Sequence, residues 1–435
     1  MSETRILVRR TLAWREPLAV ATGLRDRDGT LALISGGDGG GRSWVAVEPD
    51  RVVVKGVTDG AMFAALVGQG LETGVVGLAS YDLGARAATG QRDGVWPDLM
   101  LARYPAMLAF DHEARTVTAF GWGADAAEAG TQTDRATGWL DLAVEAATPS
   151  PPAAAFPEEA PAQAYVDAVA DVVDRIAAGE LFQANIARAW SGDLTEGTDP
   201  FDLFLRLARS RGAAYGAFWR LDGRALVSNS PELFLTLDGQ GRLEARPIKG
   251  TRPRDPDPVR DAELASDLLA SAKDRAENLM IVDLMRNDLA RVAVPGSVAV
   301  ERLFELQTLP TVHHLVSTVT GRGRHGVSAA DVLEATFPPG SITGAPKYQA
   351  MKVIAAHEPP RGPWCGSLFV LDEAGALTAS VLIRTVSFVR EAGRWRWRTL
   401  AGAGIVADSD PAAELAETGA KIAAIRQAML GDQGV

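Results

Sequence analysis

The chain has one cysteine, Cys365, in 435 residues, so no internal disulfide framework can form and a reducing compartment is expected. Cys365 has no acid–base partner near it in sequence and reads as a small buried residue rather than a nucleophile. No uncharged apolar run approaches the roughly 18 residues needed to span a bilayer. The opening ten residues carry no apolar h-region, so no secretory signal is expected and a cytoplasmic location is. Basic residues are in deficit: 44 Lys and Arg against 55 Asp and Glu leave a net charge of −11, which disfavours a nucleic-acid partner. What the chain does have is apolar residues, 47% of the total, ample for a large core and for two or three sub-domains.

One segment separates the chain into parts. Residues 148–162 are rich in proline and alanine and read as a linker between an N-terminal subdomain, 1–147, and a second domain, 163–430. Short strand-like runs dominate the first part, at 30–35, 43–48, 51–55, 75–81 and 116–120. In the second, Tyr165, Val166, Val169, Val172, Val173 and Ile176 fall at helical spacing, with Gly179 placed to stop the helix. Residues 181–190 read as a strand with Gln183 and Asn185 on one face, lining a pocket or facing solvent at an edge. Residues 225–237 and 243–249 form a strand pair, and a helical stretch over about 259–292 breaks near Ser271. Strands at 366–372, 377–390 and 395–400 form a meander, and a last helix begins at Asp410-Pro411. The expected class is α+β: large, mainly antiparallel sheets in a sandwich, with helices packed outside.

Several groups could carry chemistry. Lys249 lies in Pro247-Ile248-Lys249-Gly250-Thr251, a strand-like run ending in a glycine turn. Alone it reads as a solvated surface charge; desolvated in a cleft, it becomes a nucleophile. Asp274 and Glu277, and Glu414 and Glu417, are carboxylate pairs three residues apart on helices, with Lys421 one turn beyond. Such pairs either build an oxygen site suited to Mg²⁺ or are solvated helix faces. Gly402-Ala403-Gly404 reads as a small-residue loop ahead of the last helix, able to present amides to an anion or simply to turn tightly. Ser341 and Thr343 sit in a loop that opens another helix near Lys347. His314 belongs to an adjacent histidine pair in an apolar run, packed in the core or acting as acid or base. Glu232 follows a strand and a proline; it is a general acid with a raised pKa or an ordinary strand-edge glutamate. Gly36–Ser43 mimics a phosphate-binding loop, but a strand rather than a helix is expected to follow it, so it reads as a hairpin loop.

Together these motifs resemble the chorismate-utilising enzymes, which include anthranilate, aminodeoxychorismate, isochorismate and salicylate synthases. The resemblance runs from about residue 163 to 425. It rests on Gly179–Asn185, Ser230-Pro-Glu232, Pro247–Thr251, Asp274–Leu289, His314–Thr318, Phe337–Lys347, Trp364–Ser367, Ile383-Arg384 and Gly402–Lys421. It implies that Glu277 and Glu417, with Asp274 and Glu414 close by, bind Mg²⁺, which neutralises the ring carboxylate of chorismate. Arg384, Lys421 and the Gly402, Ala403 and Gly404 amides would hold the enolpyruvyl carboxylate. Glu232 would be the general acid for loss of the 4-hydroxyl, with His314 and Ser341 lining the pocket. Water-adding members carry a lysine where this chain has Gln183, which favours ammonia as the incoming nucleophile. Lysine at position 249 is typical of aminodeoxychorismate synthases, where the amine is thought to attack C2; anthranilate synthases have alanine there. The ammonia would come from a separate glutaminase subunit, in a heterodimer, since no glutaminase nucleophile is apparent. An anthranilate synthase, a secondary-metabolism relative making aminodeoxychorismate or aminodeoxyisochorismate, and a non-catalytic regulatory subunit are the alternatives. Ala403, His313 and Ala189 depart from the common family pattern without touching a proposed role.

Overall fold

Both faces of many strands are apolar, and that double-sided burial dictates layers. In the strand Arg224–Ser230, Ala225 and Val227 point one way and Leu226 the other, and all three are fully buried. The computed structural model describes residues 5–36, 41–56, 60–67, 70–71, 73–145, 147–309 and 312–431. Within them lie an 11-stranded and a 10-stranded sheet, paired antiparallel throughout. Leu226 joins Trp219, Leu78, Met100 and Leu368 in a layer drawn from both sheets. Ala225 and Val227 meet Phe204 and Ile425 of helices on the outer face of the first sheet. Leu235 and Phe369 meet Ile281, Leu333 and Ile354 outside the second. The result is the α+β sandwich with helices outside that the sequence leads one to expect. No described helix is long and apolar enough to cross a membrane.

Strands from both sides of 148–162 share both sheets. Leu31–Ile34 pairs with Tyr215–Leu221 in the first, and Val75–Ala79 pairs with Ser367–Leu371 in the second. The Pro/Ala stretch itself is laid along the first sheet: Ala153 is buried, Phe156 stacks on Trp397 at 4.8 Å, and Glu158 bridges to Trp190.

Eight strands and three helices carry the site. In chain order they are β1 (Gln183–Asp193), β2 (Arg224–Ser230), β3 (Leu233–Leu237), β4 (Ile248–Pro253), β5 (Val312–Arg322), β6 (Leu377–Val381), β7 (Thr385–Glu391) and β8 (Arg394–Ile405), with helices α1 (Pro258–Ala270), α2 (Ala272–Ala290) and α3 (Pro411–Leu430). The helix break falls at Ser271, whose side chain accepts from Asp274 N–H to cap α2. Asp410 caps α3 by accepting from Ala413 N–H, with Pro411 in its first turn.

Local pattern misleads at four places. Residues 225–237 are not one strand: β2 belongs to the first sheet and β3 to the second. Pro231 sits at the corner, where a residue without N–H cannot continue a ladder. Residues 377–390 likewise divide, with β6 in the second sheet and β7 in the first. Arg384 makes that corner with φ of 50°, a left-handed conformation unusual for a side chain of this size. The strand expected over 75–81 ends at Ala79, and Tyr81–Thr89 is a helix. Finally, Gly402–Gly404 is not a loop but part of β8. Of the loop expected over Gly36–Ser43, residues 37–40 lie outside the described residues, and a strand, Arg42–Ala46, follows them.

Candidate active site

The two corners lie side by side and are tied together. Ser230 Oγ donates to Val381 O at 2.6 Å, Val381 N–H to Glu232 O at 3.1 Å, and Asn229 N–H to Arg384 O at 3.0 Å. Glu232 and Arg384 therefore enter one cleft from adjacent crossovers. Glu232 is buried and accepts a 2.7 Å hydrogen bond at Oε1 from Ser341 Oγ. Burial pushes its carboxyl above the usual range; the Ser341 bond and the charges of Lys249, Lys421 and Arg384 oppose this without cancelling it. A carboxyl that favours its protonated form is what a general acid requires.

Lys249 lies in a β-bulge rather than a turn. The register of β4 against β5 slips between Ile248 and Thr251, and Gly250 takes φ of 86°, so the bulge re-aims the intervening lysine. Its Nζ lies 3.2 Å from where a Cβ on Gly404 would stand, and the Gln183 amide carbon and nitrogen lie 3.1 Å from the same point. Lys249 and Gln183 thus converge over Gly404. Gln183 is fully buried, and neither its Oε1 nor its Nε2 has a partner among the described residues. An unpaired buried polar group costs about 1–3 kcal/mol, so this amide is spare hydrogen-bonding capacity aimed into the cleft. Asn185 Oδ1, on the same face of β1, is likewise buried and unpaired.

β8 runs beside β1 as far as Ile405, whereas its pairing with β7 stops at Thr399. From Leu400 onward one side of β8 has no strand neighbour among the described residues. Asn185 and Ala187 of β1, which face Gly404 and Gly402, direct their own N–H groups to Thr343 O and Glu358 Oε1. By the alternation of an antiparallel ladder, the Gly402 and Gly404 N–H groups then point to the free side. Lys421 Nζ, from α3, donates to Gly402 O there at 2.9 Å and pairs with Glu417 at 2.6 Å. Burial alone would raise the Glu417 carboxyl, but Lys421, with Lys249 and Lys273, outweighs it and holds the group below the ordinary range. Amides, Lys421 and Arg384 make this edge suitable for a carboxylate.

His314, on β5, is buried, with Nδ1 2.8 Å from Thr251 Oγ1. Burial, then the nearby Arg384 charge, pushes it down to about 4, against a hydrogen bond that the ring donates to the Gly250 backbone, so it is a neutral imidazole at neutral pH. His313 faces away, held by Thr308 and Asp261.

The four acidic residues assigned to a cation are spread over α2 and α3. Asp274 pairs with Arg252 at 3.1 Å and packs against Gly250. Glu414 is buried and accepts from Ser409 Oγ at 2.7 Å; burial keeps its carboxyl raised. Glu277 is half-buried, and its side chain makes no ion pair or hydrogen bond among the described residues. No three His, Cys, Asp or Glu side chains among the described residues converge closely enough to hold an ion by themselves. The donor chemistry of Glu277 and Glu417 fits a hard cation that keeps its waters and takes one or two carboxylates plus substrate oxygens, the usual habit of Mg²⁺.

Two residues bracket this site without a distinctive sequence signature. Arg361 and Glu358 flank a Pro-Pro pair and look like surface charges, yet both are buried, with Arg361 at 1% exposure. Only their position just ahead of Trp364-Cys365 hinted at them. Cys365 is fully buried as expected, and burial raises its thiol.

A buried acid, a lysine amine and a cationic strand edge brought close together are chemically suited to a small anionic substrate. Residues 51–427 match the chorismate binding enzyme family, and the chain belongs to it. Aminodeoxychorismate synthase component 1 of Klebsiella aerogenes is 42% identical over 360 residues, covering 80% of this chain and 75% of that protein. Anthranilate synthase component 1 of Streptomyces coelicolor is 42% identical over 256 residues, covering 58% of this chain and 49% of that protein. The crystal structure of anthranilate synthase component I from Streptococcus pneumoniae superposes with a TM-score of 0.77 at 26% identity, covering 88% of this chain and 92% of that one.

Proposed function

We propose that the protein aminates chorismate to 4-amino-4-deoxychorismate, using ammonia from a separate glutaminase subunit. The observation that carries this reading is Lys249, re-aimed by its bulge beside Gln183 and Gly404 in the same cleft as Glu232. The relatives named component 1 support a partner subunit. In the first step the Lys249 amine, once deprotonated, bonds to C2 of the ring. Both conjugated ring double bonds shift by one position toward C4, the C4–O bond breaks, and Glu232 supplies the proton with which the hydroxyl leaves as water. In the second step ammonia bonds to C4, both ring double bonds return to their first positions, and the C2–Nζ bond breaks, freeing the lysine; Gln183 offers a neutral amide to the incoming ammonia. Arg384, Lys421 and the Gly402 and Gly404 amides hold the enolpyruvyl carboxylate. Glu277 and Glu417 would hold Mg²⁺, which when bound neutralises the ring carboxylate.

A second reading, anthranilate formation, is favoured by the 42% identity to an anthranilate synthase over 256 residues. Purified protein given chorismate, Mg²⁺ and ammonium separates the two. p-Aminobenzoate released only on adding a lyase supports the first reading; fluorescent anthranilate in its place overturns it.

A further inference from the structure

We propose that the buried Arg361–Glu358 pair is a positioning element that stands in for a missing strand along β1 and fixes the cleft's polar wall. The inference rests on the reading of this cleft as the reaction site. The outer edge of β1 is covered by a strand only briefly, because Gly344–Ala345 pairs with Ala184 and Gln183 and goes no further. Between that point and Ala189–Ser191, where the backbone of residues 157–159 meets the strand, two side chains take over. Arg361 Nη2 donates to Asn185 O at 2.6 Å, and Glu358 Oε1 accepts from Ala187 N–H at 2.7 Å. The two side chains are joined at 2.8 and 2.9 Å. One donor and one acceptor, rigidly linked and two residues apart along the strand, reproduce the hydrogen-bonding of a neighbouring backbone.

The same guanidinium reaches the opposite wall. Arg361 Nη1 lies 3.4 Å from Ile342 O, next to Ser341, and Asn185 N–H donates to Thr343 O at 2.9 Å. Ser341 in turn holds Glu232. The plane of Arg361 is fixed by Tyr81 and Trp364, whose ring centroids lie 4.6 and 5.0 Å from its central carbon. Arg361 thereby links the strand bearing Gln183 and Asn185 to the turn that orients the acid. Stability alone is a weak reason for this arrangement, since a buried ion pair can commonly be exchanged for apolar side chains of similar size at little or no cost. Directional bonding to two separate backbones is what apolar side chains cannot supply.

The test compares the parent with E358L/R361M and with R361K, by thermal unfolding, by hydrogen exchange of peptides covering residues 181–190, and by ammonium-dependent turnover of chorismate with all aminated products separated. In folded E358L/R361M the Asn185 and Ala187 amides are expected to exchange at least about tenfold faster, and kcat to fall at least about tenfold with KM changed much less, because loss of alignment acts on the reacting geometry. R361K keeps the charge but cannot span both backbones, so it should fall between the two. A folded double variant with parental exchange and parental kcat overturns the proposal. Should the double variant not fold, parental exchange and kcat in R361K overturn it equally. The functional reading fails separately, if the parent itself aminates nothing; the exchange comparison still decides the brace.

Discussion

Gly402 and Gly404 are two residues apart on one strand, yet alanine should act on them in different ways. A Cβ on Gly402 would stand 2.6 Å from Ile186 O and 2.8 Å from Asn185 Oδ1. Ile186 O is backbone within the β1–β8 ladder, so it cannot retreat without disturbing the sheet. G402A is therefore an overpacking substitution, expected to cost about 1–3 kcal/mol of stability. A Cβ on Gly404 instead meets side chains: Gln183 Cδ and Nε2 at 3.1 Å and Lys249 Nζ at 3.2 Å. Ordinary contact between heavy atoms is about 3.5–4.0 Å, so these groups must give by roughly half an ångström. The end of Lys249 is flexible and can do so, at little cost to folding. The chemistry is less forgiving, because about 1 Å of misplacement costs on the order of 100-fold, so half of that costs about tenfold, or ~1.4 kcal/mol. Thermal unfolding and steady-state turnover with ammonium measure both effects. G404A should unfold within a few degrees of the parent and lose about tenfold in kcat; G402A should show its loss first in unfolding. A folded G404A with parental kcat would refute the placement of Lys249 over Gly404.

Three further outcomes are expected. Lys249→Ala abolishes formation of 4-amino-4-deoxychorismate; parent given chorismate without ammonium should show a covalent mass increase that the variant lacks. Glu232→Gln lowers kcat about 10²–10⁴-fold. It should also stabilise the protein at neutral and higher pH, because the raised carboxyl binds its proton more tightly when folded, so the parent loses stability as pH rises from the ordinary carboxylate range through the raised value. His314 has the opposite sense: its folded value of about 4 lies below the ordinary 6.5, so the unfolded chain binds the extra proton and stability falls as pH drops through that window, by ~3 kcal/mol at most. His314→Asn should flatten that part of the stability–pH curve, as followed by denaturant unfolding between those limits.

Features set by neighbours in sequence were legible. The break at Ser271, the cap at Asp410 and the stop at Gly179 each depend on a side chain and the next turn of backbone, and each occurs where local chemistry puts it. Features set by distant chain were not. Gly402–Gly404 reads as a loop because small residues usually mark turns, but here they are small because Ile186 O, Gln183 and Lys249 crowd a strand from across the sheet. Lys249 reads as the start of a turn because the bulge is defined only against β5. Arg361 and Glu358 went unremarked in the sequence because nothing local reveals that the edge of β1 needs covering. Gln183 and Asn185 were correctly placed on one face of β1, but only the fold decides between pocket and solvent for that face.

The corners explain why acid, cation and anion-binding edge occur together. The chain leaves β6 for β7 at Arg384, and because β7 begins only there, β8 loses its neighbour beyond Thr399. A single crossover thus both delivers the Arg384 guanidinium and opens the edge from which the Gly402 and Gly404 amides point. The companion crossover at Pro231 delivers Glu232 beside it, held by Ser230 Oγ and the Val381 backbone. Flat continuation of either strand would bury the amides in a ladder and carry the acid away from the cation. The unusual backbone at Arg384, which costs on the order of 1 kcal/mol, is therefore the structural condition for the cleft rather than an accident of the loop.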